Sequence, residues 1–316
     1  FSEVETEVAP GDRVKVGLRY DRVTADAGRA DEATQGGMDN RTPNDLYTTY
    51  YGTTADKATE DNVGGLVHYA HDFGSRLTFH GTLSRSVRTA DASERFMAGN
   101  RTMMMGDWVG NPAIDPEKHH QAEMGLSWTS QAARMELSAY YNDVTDYIFT
   151  DLGPVDGNGN NAVLYRNIDA TLMGGELSLR RTWAGALVTR AEAAYVHGEN
   201  DTDGTALSQI PPLEGTVGLD YEAARWDAGA EVRMVAEQTR VDLESGQDLQ
   251  ETPGFAVVNV KGGVKLGERA ELRLGVDNLL DKAYTEHLNR QDATSGTAIR
   301  VNEPGRSLWA RLKATF

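Results

Sequence analysis

The sequence predicts an all-β protein, an antiparallel up-and-down transmembrane β-barrel. Three observations predict it. Apolar residues recur at every second position along most of the chain, which marks strands with one apolar face. The connections alternate between short and long, as in a barrel with short periplasmic turns at one end and long extracellular loops at the other. Aromatics gather near strand ends, at Trp128, Tyr140, Tyr141, Tyr147, Trp183, Trp226, Trp309 and Phe316, where interfacial girdles are expected.

The strands follow in order. A partial strand at 1–8 precedes 12–24, where Val14, Val16, Leu18 and Tyr20 alternate with Arg13, Lys15, Gly17 and Arg19. Strands at 62–73 and 75–88 follow, the second with Leu77, Phe79, Gly81 and Leu83 on one face. Then come 119–129 (Ala122, Met124, Leu126, Trp128) and 133–150 (Met135, Leu137, Ala139, Tyr141), 162–183 and 186–197. The remaining strands are 213–222, 226–237, 254–266, 270–283 and 305–316, giving about thirteen in all. Short turns fall at Pro10-Gly11, Phe73-Gly74, Gln131-Ala132, Ala184-Gly185, Ala223-Ala224 and Gly267-Glu268. Long polar segments cover about 25–61, 89–118, 151–161, 198–212, 239–253 and 284–304. Many strands exceed the roughly 9–11 residues a bilayer needs, so they should project above it on the loop side.

Composition narrows the function. Of 316 residues, 39% are hydrophobic, and no apolar run approaches the length of a membrane helix. Half of each strand would face a wet lumen, so this low share suits a barrel. The chain has no cysteine, which excludes a disulfide scaffold, a cysteine-ligated zinc site and a thiol nucleophile. Forty-eight acids against 31 bases give a net charge of -17, which argues against nucleic acid as a partner. The serines and histidines show no nucleophile–base arrangement, so an enzyme is not expected.

Several motifs resemble the TonB-dependent outer-membrane receptors. Asn111-Pro112-Ala113-Ile114-Asp115-Pro116-Glu117 is similar to the family's N-P-x-L-x-P-E segment. Asp277-Asn278-Leu279-Leu280-Asp281-Lys282-Ala283-Tyr284 resembles its penultimate-strand motif N-L-F-D-K-x-Y, and Glu303-Pro304-Gly305-Arg306-Ser307 its closing element. Arg166-Asn167-Ile168-Asp169 and Gly174-Gly175-Glu176-Leu177 are similar to a further strand motif. The last strand, with Leu312, Ala314 and Phe316 on one face, resembles the signal read by the barrel-assembly machinery. The resemblance implies the outer membrane of a Gram-negative bacterium, lipid around the barrel, and energy from the TonB complex delivered through an N-terminal region. Family barrels have about 22 strands around a plug, so this chain is expected to be the C-terminal portion, with the plug and N-terminal strands absent.

The cargo is sought in the loops. Met124, Met135, Met173 and Met234 fall on apolar strand faces and suit lipid contact, whereas Met38, Met97, Met103, Met104 and Met105 fall in long loops, with His119 and His120 nearby. Thioethers are soft ligands for Cu(I) and imidazoles suit copper; a methionine cluster can equally serve apolar packing. Trp108-Val109-Gly110-Asn111-Pro112, the segment from Leu207 to Gly215 and the segment from Tyr284 to Arg290 resemble the copper-receptor subfamily. The expectation is therefore a receptor without a resident cofactor that carries copper or a metal complex as its substrate. A ferric-siderophore or cobalamin receptor is the alternative, and a passive porin or outer-membrane enzyme the alternative from another class.

Overall fold

The computed structural model describes residues 1–33, 40–54, 57–99, 106–155, 159–183, 185–289, 291–292 and 299–315. Thirteen antiparallel strands run along one sheet, each paired with its neighbours in chain order. They are β1 (Ser2–Ala9), β2 (Asp12–Asp26), β3 (Lys57–Phe73), β4 (Leu77–Arg88), β5 (Glu117–Thr129), β6 (Ala133–Val155) and β7 (Asn161–Thr182). The rest are β8 (Leu187–Asn200), β9 (Glu214–Glu222), β10 (Trp226–Val235), β11 (Phe255–Lys265), β12 (Ala270–Asp277) and β13 (Ser307–Ala314). β1 and β13 do not pair with each other, so the sheet ends in two open edges among the described residues.

The register shows what the alternation faces. Val16, Val67, Leu83, Ala122, Tyr141 and Met173 stand opposite one another across six strands. Leu219, Ala230, Val260, Val276 and Leu308 form a similar row further round. The other face carries Lys15, His68, Thr82, Glu123 and Tyr140 in register. Among the described residues no second sheet covers the apolar face: Leu83 is 65% exposed and Leu308 79%. A sandwich would bury these side chains; a transmembrane barrel turns them to lipid. Met124, Met173 and Met234 lie exposed on the same face.

All the short turns lie at one end of the sheet. Gly11 and Gly267 take φ of 84° and 86° there, left-handed values that glycine adopts without a Cβ clash. The long connections lie at the other end, where β6 and β7 run 23 and 22 residues and rise above the belt. Two short helices sit there that the strand periodicity did not reveal. Helix α1 (Pro43–Tyr51) begins with a capping box: Asp45 N–H donates to the Thr42 hydroxyl and Thr42 N–H to the Asp45 carboxylate. Helix α2 (Ala92–Phe96) repeats the device with Asp91 and Glu94.

Two expectations are corrected. The twelfth strand stops at Asp277 and does not run to 283, because Asn278 and Asp281 take φ of 51° and 55° and turn the chain out of the ladder. Three of the aromatics do not join the girdle. Tyr140 and Trp309 lie on the inner face, where their rings cover Gly174 and Gly275, and Tyr147 packs against buried residues on the loop side.

Candidate ligand-facing crown

The buried cores all lie on the loop side and build a crown over the strand ends. Leu207 and Ile210, from the connection after β8, pack on Val144, Phe149, Ile168 and Ala170 of β6 and β7. Ile114 packs on Ala90, Ile148 and Tyr165. From α1, Leu46 and Tyr47 pack on Val109. Hydrocarbon burial of this kind anchors loops that would otherwise cost conformational entropy to hold.

Polar groups lock the crown at three places. The first is the strap from Asn111 to Glu117. Arg88 donates to both oxygens of Glu117 at 2.7 Å, and Ile148 N–H and His119 Nε2 reach the same carboxylate at 2.8 and 3.1 Å. Burial alone would raise the Glu117 pKa, but these partners outweigh it and hold the carboxyl at about 2. Arg95 is buried, donates to the Pro112 carbonyl at 3.2 Å and pairs with Glu60. The Asn167 amide bridges the Asp115 and Asp146 carbonyls at 3.0 and 2.7 Å. Asn111 Oδ1 accepts from Ala113 N–H at 3.0 Å, and Pro112 is buried beside half-buried Pro116.

The second lock ties α1 down. Arg41 donates to both oxygens of buried Asp107 at 2.9 Å, and the Tyr50 hydroxyl donates to it at 2.7 Å. Tyr51 donates to the Val109 carbonyl at 2.8 Å and accepts from Tyr165 N–H at 2.9 Å. Burial pushes the Tyr50 and Tyr51 hydroxyls up to about 12.

The third lock centres on Asp248, whose side chain is fully buried. Its Oδ1 accepts from Gln209 N–H at 3.2 Å and Gln209 Nε2 at 2.8 Å, and its Oδ2 from Asp242 N–H at 3.0 Å. His287 Nε2 stands 3.5 Å away, and His287 Nδ1 meets the Thr252 hydroxyl at 2.9 Å. Burial would raise the Asp248 pKa, but His287 and the two backbone donors hold it below its usual range. Beside it, Arg233 joins Glu286 to Glu214. Three loops meet at this one carboxylate.

The family-like motifs near the C-terminus also interlock. Asn278 Oδ1 accepts from Lys282 N–H at 2.8 Å while its amide donates to the Lys282 carbonyl at 2.8 Å and the Pro304 carbonyl at 3.4 Å. Leu279 N–H bonds to the Val258 carbonyl at 2.7 Å. Arg306 N–H donates to Asp281 Oδ1 at 2.8 Å, against Gly305. The Tyr284 ring packs on Phe255 with centroids 4.3 Å apart. Leu312 and Ala314 stand exposed on the lipid face of β13.

The expected metal ligands separate. Met38, Met103, Met104 and Met105 lie outside the described residues, as does Phe316. Met97 caps the C-terminus of α2 and is half-buried. His119 turns inward, where Asn142 Nδ2 meets its Nδ1 at 3.1 Å, and exposed His120 turns outward, as strand alternation requires. The two rings therefore do not meet at one ion. Among the described residues, no group of three or more His, Asp or Glu side chains is placed to hold a metal. Asp248, Thr252 and Asp107, which organise the crown, escaped the sequence reading because they bind residues of other loops, and Arg88 because Glu117 meets it only through the register of two strands.

The comparisons with known proteins agree with this architecture. Residues 1–279 match the family model described as TonB dependent receptor-like, beta-barrel. Among solved structures, the copper transporter OprC superposes with a TM-score of 0.86 at 32% identity, covering 99% of this chain and 47% of that one. The ferric enterobactin receptor of Pseudomonas aeruginosa is 26% identical over 227 residues, 66% of this chain and 30% of the relative. The vitamin B12 transporter BtuB of Vibrio vulnificus is 23% identical over 236 residues, 74% of this chain and 35% of the relative. The chain thus spans less than half the length of these relatives.

Proposed function

The chain belongs to the TonB-dependent receptor β-barrel family of Gram-negative outer-membrane transport receptors, and from that premise we propose that it is the C-terminal barrel portion of a receptor for copper or a metal complex. The observation that carries this reading is the likeness to the copper transporter OprC along 99% of the chain. The loop methionines Met97, Met103, Met104 and Met105 supply the soft donors that copper prefers. The two open sheet edges favour a larger barrel, because lipid leaves unpaired backbone groups unsatisfied. In this reading the TonB complex supplies the energy through an N-terminal region, and the barrel-assembly machinery reads Leu312, Ala314 and Phe316. The crown of locked loops forms the mouth through which the cargo enters, and copper passes as substrate and not as a resident cofactor.

The test uses the complete receptor. Replacing Met103, Met104 and Met105 together by Leu should weaken copper retention by roughly ten-fold or more, read by metal analysis after dialysis. Unchanged retention removes copper and leaves the transporter. The resemblance to the enterobactin and B12 receptors sustains a second reading, a ferric-siderophore or cobalamin cargo. Growth rescue by one of those ligands, dependent on the complete gene, would select it.

A further inference from the structure

Among the described residues the lipid face has a hollow at Gly262, between Val260, Leu274, Val276 and Leu308, and another at Gly65, and the second has an arginine at its border. Leu18, Gly65, Arg85 and His120 stand in register across β2 to β5, one row above the apolar row of Val16, Val67, Leu83 and Tyr141. With no side chain, Gly65 leaves a notch in that row. A Cβ there would come within 3.0 Å of the Gly17 carbonyl and 3.2 Å of Leu18 Cδ2. The notch opens into a groove of about 560 Å³ lined by Val16, Leu18, Val63, Val67, Leu83 and Tyr141, with Arg85 and His120 at its rim.

The charge at the rim is uneven. The Arg85 guanidinium donates to the Val63 carbonyl and so lies along the groove, and it has no carboxylate partner among the described residues. His120 is exposed and faces Asp143 on the next strand. Of the nearby acids, Asp61 meets the Tyr20 hydroxyl at 2.7 Å and Arg22 at 3.8 Å, Asp146 pairs with Lys118, and Asp143 stands opposite His120, two strands from Arg85. The rim therefore offers an unneutralised cation directly above an apolar slot, at the loop-side border of the belt. Lipid headgroups of the outer leaflet lie at that level. A guanidinium recognises phosphate by paired hydrogen bonds.

We propose that this groove is a specific lipid site: an acyl chain of a phosphorylated outer-leaflet lipid, lipid A, lies in the notch at Gly65, and its phosphate sits on Arg85 with His120 beside it. The groove lies between interior strands of the sheet, on its lipid face, so strands added at the open edges do not cover it.

The experiment uses the complete receptor in mild detergent, with bound lipid counted by native mass spectrometry. The probes are lipid A, phosphatase-treated lipid A and phosphatidylethanolamine. Lipid A should bind one copy at the lowest occupancy, and treated lipid A at least roughly ten-fold more weakly. Arg85→Gln should lower lipid A occupancy by a similar factor, and Arg22→Gln, whose side chain is committed to Asp61, should not. Gly65→Val should also empty the groove; if it fails to fold by gel mobility, Arg85→Gln decides alone, since it leaves the backbone unchanged. Equal binding of treated and untreated lipid A, equal loss in both arginine variants, or a receptor dimer cross-linked through this face would each overturn the assignment.

Discussion

Leu137 in the belt is 44% exposed, while Leu207 in the crown is 2% exposed. The two side chains are chemically identical, and in both places apolar contact is what they provide. In the belt, the partner is solvent-like hydrocarbon supplied by the membrane, so one sheet suffices and the described residues form no buried apolar cluster there. In the crown, water surrounds the loops, and each apolar residue needs a partner from the chain itself. The crown accordingly holds the buried clusters and the locks at Asp107, Glu117 and Asp248. Period-two alternation therefore has two meanings in one strand, set by height along it.

The sharpest test deletes the same atoms from each region of the complete receptor. Leu207→Ala should cost about 3–4 kcal/mol in crown stability, because rigid neighbours leave a cavity. Leu137→Ala should cost about 1 kcal/mol, because mobile lipid chains fill the space. Urea unfolding in vesicles, with local probes in each region, separates the two. Equal costs would break the distinction.

A charge tests the belt from the other side. Leu137→Arg should destabilise the barrel by about 2–4 kcal/mol in vesicles. Ser138→Arg, one residue on and turned to the inner face beside Glu176, should cost less than about 1 kcal/mol. A reversed order would place the lipid on the wrong face.

The Asp248 hub gives the crown a pH dependence. The carboxyl's folded pKa lies below its ordinary 3.8. A lowered carboxylate pKa stabilises the folded state above the unfolded value, and that stability is lost as pH falls through the folded one. Backbone hydrogen exchange at 242–252, corrected for its intrinsic pH dependence, should stay well protected near neutrality and lose protection below pH 3.8. Asp248→Asn should flatten this response at the hub and leave the belt unchanged. An unaltered response in that variant would assign it to another group.

Much of this was legible in the sequence, and the gaps have a physical pattern. Alternation gave thirteen strands and their lipid face, because each residue's environment there depends only on its parity and height. The strap at 111–117 and the turn at Asn278 were legible as motifs because their hydrogen bonds are partly local. The Asp248 hub was not, since Gln209 and Asp248 lie 39 positions apart in loops without period. Glu117 and Arg88 lie 29 apart and face each other across the ladder at the loop-side ends of β5 and β4, so that pair shows only once the register is known. Parity itself argued against pairing His119 with His120, because adjacent strand residues face opposite sides.

The smallest expected effect concerns Gly305, where the belt's last strand leaves the crown. Its φ is not left-handed, so backbone freedom does not explain the glycine. Space does. A Cβ at 305 would stand 2.8 Å from Asp281 Oδ1, the oxygen that accepts Arg306 N–H. Gly305→Ala should displace that carboxylate and cost about 1 kcal/mol, the worth of one hydrogen bond. Asp281→Gly removes the carboxylate while suiting the left-handed φ of 55° at that position. In that background Gly305→Ala should cost almost nothing, because the clash has no second partner. A double-mutant cycle read by urea unfolding of the complete receptor measures the difference. An equal penalty in both backgrounds would mean that the glycine answers to something other than Asp281, and the interlock between the two closing motifs would lose its physical basis.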